Sequence, residues 1–289
     1  MRHSPMVVLL AATGAVAVFA AAGVTIRPEF TPQTNLRYAW HLENENRWTP
    51  KTAAGDWSTK ETDFDLVLKA GNLLRNGGCE FDLKGTHLRS VAKGPKGAIG
   101  IDATPTQAKL LLGDTWLKPG PKTPLKKPMT LTVGPRFEIT GATGVEPIAL
   151  YLLPGVDPRI WLALTTAPKD PIVPGTDWEH DFKVPIKELG GKMLDVTVAF
   201  SVMPSSPRAN RLAISMAADM DLDDFTAQVD KLGTVRIANG RLELSGEAVW
   251  NVDSGVLEKA TAEQKLRLAV AKPKTVFTHR AASTMTLQR

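Results

Sequence analysis

A chain of 289 residues with 43% hydrophobic content holds enough apolar material for a sizeable core, which excludes a disordered protein. Net charge is +5, from 35 Lys and Arg against 30 Asp and Glu, too modest by itself to mark a nucleic-acid binder. Cys79 is the single cysteine, so intrachain disulfides are excluded and the core alone must hold the fold.

The first 26 residues differ from all that follow. Arg2 and His3 precede an uncharged run from Met6 to Ile26. Two readings fit it. A secretory signal peptide would be cut after Ala20-Ala21-Ala22, before Gly23; an uncleaved anchor would span a bilayer with the whole run. Either exports the remainder to the periplasm or cell envelope. A lone thiol and the absence of any Asn-x-Ser/Thr acceptor suit a bacterial envelope protein. Residues 27–34, with Pro28 and Pro32, read as a linker, and 35–289 as a single antiparallel β domain.

Alternation begins at residues 35–43, where Leu36, Tyr38, Trp40 and Leu42 interleave with Arg37, Ala39 and His41. Residues 44–60 are polar and read as turn-rich. Residues 61–70 alternate again, Asn76-Gly77-Gly78 signals a hairpin, and 79–91 is the returning strand, with Cys79 a packed small residue. Residues 107–112 form a short apolar run, helix or strand; 117–128, with four prolines, is a loop; 129–133 and 136–140 form a hairpin around Gly134-Pro135. Asp157-Pro158 starts a helix ending at Thr166, with Ile160, Trp161 and Leu164 at helical spacing and Pro168 beyond. Strands follow at 178–186, 193–203 and 211–217, then a short helix over 225–232 capped by Asp223.

The clearest pattern comes next. Leu242, Leu244, Gly246, Ala248, Trp250 and Val252 alternate with Arg241, Glu243, Ser245 and Glu247; after the turn Asp253-Ser254-Gly255, Val256, Ala260, Ala262, Leu266, Leu268 and Val270 alternate with charged residues. Residues 276–287 supply a last strand. Neighbouring strands with short turns pair antiparallel, and one wet face per strand fits a half-barrel or open barrel with one or two short helices. Gly-Asp-Trp or its variant recurs at residues 55–57, 113–116 and 175–178, each a turn followed by an aromatic.

No nucleophile elbow, zinc-protease helix or phosphate-binding loop is present, and the five histidines are scattered; the chain reads as a non-enzyme without metal or cofactor. The acidic run from Asp219 to Asp224 starts like a calcium loop, but its sixth position is Asp224 where glycine is needed and its twelfth is Asp230; helix capping explains it more simply. Residues 84–127 carry nine Lys or Arg against Asp102 and Asp114, a local +7. Lys84, Arg89, Lys93, Lys96, Lys118, Lys122, Lys126 and Lys127 are candidates for contact with an anionic surface. Trp116 is the one aromatic there apart from His87, and nucleic acid is not expected.

Four stretches carry a resemblance: GPRFEITGATG at 134–144, PIVPGTDW at 171–178, the strand 195–203, and GEAVWNVDSG at 246–255. They resemble an uncharacterised family of exported bacterial β-sheet proteins, with Trp250 where such hairpins often have phenylalanine. More loosely, long strands around a short helix look like the half-barrels of periplasmic lipoprotein carriers and lipid-binding proteins. That resemblance implies a binding module whose apolar sheet face, lined by Trp40, Phe64, Leu66, Trp178, Phe200 and Trp250, takes a lipid or other apolar ligand. The alternative use of those six residues is core packing. The rival function is a structural envelope protein docking an anionic surface through 84–127.

Overall fold

The computed structural model describes residues 25–26, 30, 34–53, 55–148, 157–186, 191–203, 210–229 and 231–288. The segment expected to be a signal or anchor therefore falls almost wholly outside the described residues. Among those described, no helix is long and apolar enough to cross a membrane.

The strands are β1 (Asn35–Thr52), β2 (Gly55–Leu73), β3 (Cys79–Gly94), β4 (Gly97–Ala103), β5 (Ala108–Leu112), β6 (Thr115–Trp116), β7 (Met129–Val133), β8 (Ile139–Thr143), β9 (Asp177–Ile186), β10 (Lys192–Met203), β11 (Arg211–Leu222), β12 (Phe225–Val229), β13 (Gly233–Asn251), β14 (Val256–Val270) and β15 (Thr275–Gln288); helix α1 is Pro158–Thr165. All fifteen strands join one open antiparallel sheet in the order β6-β5-β4-β3-β2-β1-β15-β14-β13-β11-β10-β9. Two short elements share an edge with a longer neighbour. β3 pairs with β7 along Cys79–Leu83 and with β4 along Leu88–Gly94. β13 pairs with β12 through Val235 and Ile237 and with β11 from Gly240 onward.

Period-two alternation sends one row of each strand to a covered face and the other to water. On the covered face lie Tyr38, Phe64, Phe81, Val198, Phe200, Ile214, Leu242, Trp250, Leu268 and Phe277, all buried. The cover is chain-made. Helix α1 packs over β11, β13 and β14 with Ile160, Trp161 and Leu164 buried. Its N-cap is Asp157, whose carboxylate accepts from Arg159 N at 2.8 Å, with Pro158 opening the helix as expected. Trp161 lies stacked on Trp40 of β1, ring centroids 5.9 Å apart. Further along, Leu125 sits on Phe64 above Gly85, and Phe30 packs edge-on to Phe81 at 5.2 Å. Ile26 is buried as well, so packed chain begins before residue 35.

Four local expectations change. Residues 44–52 and 55–60 are strand rather than turn, because β1 pairs with β15 as far as Thr49 and with β2 across the end of the sheet. Their covered face carries Asn44 and Asn46 where apolar residues would give a pattern, so the alternation is invisible. Residues 97–103 form β4, which the pattern did not announce. Residues 225–229 are strand β12, not helix: the first half of β13 offers a free edge, and the positive φ of Lys231 and Gly233 turns the chain back onto it. Finally, Leu257 and not Val256 faces the core, because the register slips between Val249 and Trp250. The skipped residue, Glu258, forms a half-buried ion pair with Arg211, whose Nη2 donates to Glu258 Oε1 at 2.9 Å.

Gly246 lies beneath α1. A Cβ there would stand 2.6 Å from Thr261 O, 2.7 Å from Met216 Cε and 3.1 Å from Leu164 Cδ2. Gly246→Val should therefore lift the helix and lower stability by about 1–3 kcal/mol, read as a fall in the urea midpoint at unchanged slope.

Candidate functional site

Where the cover stops, near the β9 edge, a cleft of about 970 Å³ opens between α1 with the 166–172 segment and strands β9 and β10. Trp178 and Phe200 are direct cross-strand partners, and their rings stack at 5.4 Å, 5° from parallel. With Phe182, Ile172 and Leu162 they make an apolar floor. Arg136, Arg159, Lys169 and Lys183 stand around it, together with Glu138, Asp170, Asp181 and His180.

The cleft walls are tied down. Arg159 clamps Asp157 through Nε at 3.0 Å and Nη2 at 2.8 Å, and also donates to Lys183 O of β9, fixing the helix start to the edge strand. The paired carboxylate raises the Arg159 guanidinium above its ordinary pKa, so it stays charged at any working pH. Ala167 N donates to Arg136 O at 2.8 Å, and Arg136 N to Glu138 Oε2 at 2.7 Å, holding the far wall to the turn before β8. Size and lining match a small-molecule site: concave, apolar below, a few polar groups above.

Of the six expected ligand-binding residues, Trp178 and Phe200 line this cleft. Phe64, Leu66 and Trp250 lie buried in the core, with Phe137 edge-on to Trp250 at 6.0 Å. Trp40 is occupied by Trp161 and donates from Nε1 to Ser283 Oγ at 2.8 Å. The six share the covered face, as their parity requires, but the helix and loops divide that face into packed core and cleft. The cleft residues from α1 and its exit carried no signal beyond the helix itself, since their meeting with β9 depends on tertiary folding.

The eight basic candidates are all exposed, but they do not form one surface. Lys84 lines a hollow of about 920 Å³ with Asp65 and Asp82; Arg89 and Lys93 line another of about 430 Å³ with Glu61, Asp63 and Trp116. Lys96 is in the β3–β4 turn, and Lys118, Lys122, Lys126 and Lys127 lie in the loop before β7. The acidic run is used in ion pairs: Asp219 with Arg241 and Asp224 with Arg236.

One cluster was not foreseen. The β1–β2 register sets His41 opposite Asp63 and Glu43 opposite Glu61 on the open face. His41 Nδ1 is 2.6 Å from Asp63 Oδ1 and Nε2 is 3.1 Å from Glu43 Oε1. Ligand atoms of His41, Glu61 and Asp63 fall within 4.8 Å of one another, a spacing a metal could use. Its legible trace was His41-x-Glu43 and Glu61-x-Asp63, pairs sharing a strand face, but only the register joins them. Partial burial opposes the charged ring, yet the hydrogen bonds and charges of Asp63 and Glu43 outweigh it and raise the His41 pKa.

No family model and no curated protein matches the chain. No matched family model therefore supports the resemblance read at 134–144, 171–178, 195–203 and 246–255. Among solved structures, one of lipovitellin, reporting lipid–protein interactions, aligns with a TM-score of 0.49 and 11% identity over 90% of this chain. The chain spans 26% of that chain's length. The similarity is one of chain course alone, and no ligand or partner passes across it.

Two expectations follow. Because the folded-state pKa of His41 is raised, its contribution to stability is full below about 6.5 and is lost as pH rises through the raised value. An NMR titration of the His41 ring should place its midpoint above 6.5, and Asp63→Asn should bring it down. Trp250 is buried and its Nε1 has no hydrogen-bond partner among the described residues. Trp250→Ala should therefore cost about 3–5 kcal/mol, whereas Trp250→Phe, which removes the unpaired donor, should change chemical denaturation by less than about 1.5 kcal/mol.

Proposed function

We propose that the protein is an exported bacterial envelope protein, a non-enzymatic binding module that holds an amphiphile in the cleft between α1 and the β9–β10 edge. The observation that carries this reading is the pairing, in one cleft of about 970 Å³, of an aromatic floor with a rim that includes four cationic side chains. An apolar chain lies on the Trp178–Phe200 stack, where displacing water from aromatic surface supplies most of the binding energy. An anionic end group meets Arg136, Lys169 or Lys183, with bidentate geometry available from Arg136, while Arg159, held by Asp157, adds its charge. The ligand class is therefore a fatty acid or a lipid with a negatively charged head. The apolar N-terminal run from Met6 to Ile26 supports export, whether it is cleaved or kept as an anchor.

The test is native mass spectrometry of the protein purified from a bacterial envelope, followed by organic extraction. A reproducible added mass that extracts as lipid is expected. Trp178→Asp, at the half-buried lip of the cleft, should abolish that mass while leaving the thermal midpoint within a few degrees. A bare polypeptide mass for the unaltered protein, together with no uptake of a fluorescent fatty acid, would sink the reading.

A further inference from the structure

The sheet ends, on the side away from the cleft, in a three-stranded finger made of β4, β5 and β6. One face of this finger is apolar and bare. Ile99 stands directly opposite Leu112, and Leu110 opposite the buried Ile101. Leu117 N donates to Leu110 O at 2.8 Å, which extends the same row past β6. Side-chain exposure is 64% at Ile99, 57% at Leu112, 50% at Leu110 and 42% at Leu117. Away from the cleft, these four side chains form an exposed apolar row at this end of the same face.

Lysines lie on the opposite face of the finger and in its connecting turns: parity turns Lys93, opposite Ala98, and Lys109, opposite Asp102, away from Ile99, Leu110 and Leu112. Lys93 and Lys96 flank the β3–β4 turn at the tip, Lys109 lies on β5, and Lys118 and Lys122 follow β6. The only acids from residue 93 to 122 are Asp102 and Asp114. The two tip turns lie side by side, with Gly113 N donating to Ala98 O at 2.7 Å, which places Lys93 and Lys96 near Asp114 at the tip, while Lys109, Lys118 and Lys122 lie toward the base, where Ala108 bridges to Gly120.

We propose that this finger docks on an anionic lipid bilayer, with Ile99, Leu110, Leu112 and Leu117 entering the headgroup–acyl boundary and the lysines meeting lipid phosphates. An exposed apolar face backed by a lysine-bearing one is the amphipathic pattern of bilayer-surface binding. A protein partner fits less well, because the centres of protein interfaces are depleted in lysine. Strand addition by a second copy is also opposed. β6 is only two residues long, Lys118, Pro119 and Pro121 follow it, and the Ala108–Gly120 bridge returns the loop onto β5. This docking does not depend on the cleft; an empty cleft would leave it standing.

The test uses the full chain carrying Leu112→Cys labelled with an environment-sensitive fluorophore. Cys79 is fully buried and stays unlabelled. A second protein, labelled through Ser245→Cys on the open face, is the control. Added vesicles of phosphatidylcholine with phosphatidylglycerol should blue-shift the Leu112→Cys probe and leave it open to quenching by nitroxide lipids, while the control probe stays aqueous. Lys96→Gln and Lys118→Gln should each weaken partitioning about fivefold, from the ~1 kcal/mol a lysine contributes at an anionic surface. Raised salt should weaken it further. The proposal is overturned if the Leu112→Cys probe stays aqueous while the protein sediments with vesicles. It is equally overturned if the probe shifts with protein concentration alone, the mark of contact between copies.

Discussion

The ladder between β1 and β15 is the contact on which the rest depends. It runs from Arg37 opposite Gln288 to Thr49 opposite Val276 and joins segments more than two hundred residues apart. Without it the chain would be two separate meanders, β1 to β6 with its β7–β8 branch and β9 to β15, each with a further open edge. Tyr38 reinforces the join. Its hydroxyl donates to Leu257 O of β14 at 2.8 Å, and burial pushes its phenol far above the ordinary range, so it remains a donor. Ring contact between Trp48 and Phe277, 4.8 Å apart, holds the far end. Such a closure is entropically expensive and pays back only when both meanders are formed.

A sheet of this breadth must also hide one face. The chain does so unevenly. Helix α1 and the loops around Leu125 and Phe137 cover the middle strands, where the largest side chains lie. Short helices cover little area, since eight residues advance only about 12 Å. The cover therefore runs out toward both edges, and the edges differ in what they expose. Beside β9 the cleft floor is aromatic and walled by the helix exit; beside β6 the bare face is aliphatic, with lysines on the opposite face and in the connecting turns. The cleft and the finger are thus two consequences of one geometric shortage.

Charge follows the same logic on the open face. Arg241 with Asp219, Arg236 with Asp224 and Arg280 with Glu263 pair across neighbouring strands or their ends. These exposed pairs each contribute little to stability. They offset like charges that the register sets opposite one another, such as Asp219 and Glu243 or Arg241 and Arg267; Glu43 opposite Glu61 is offset in the same way by His41 and Arg280.

The sequence by itself determined the kind of structure: strands wherever period-two alternation was clean, the α1 helix from its Asp-Pro start, and the hairpin turns at Gly77 and Gly255, whose positive φ the glycines allow. These are local choices, made by residues within a few positions of one another. It also determined which face Trp40, Phe64, Leu66, Trp178, Phe200 and Trp250 share, because parity along a strand is local too. Tertiary structure decided everything that needed a distant partner. Residues 44–52 became strand because β15 was there to pair, residues 225–229 because β13 offered an edge, and Leu257 replaced Val256 because Glu258 bulged toward Arg211. It likewise separated Trp178 and Phe200, left at a cleft, from Trp250, sealed under Phe137. Parity can say that a side chain points to the covered face, but only the path of the cover says whether anything lies above it.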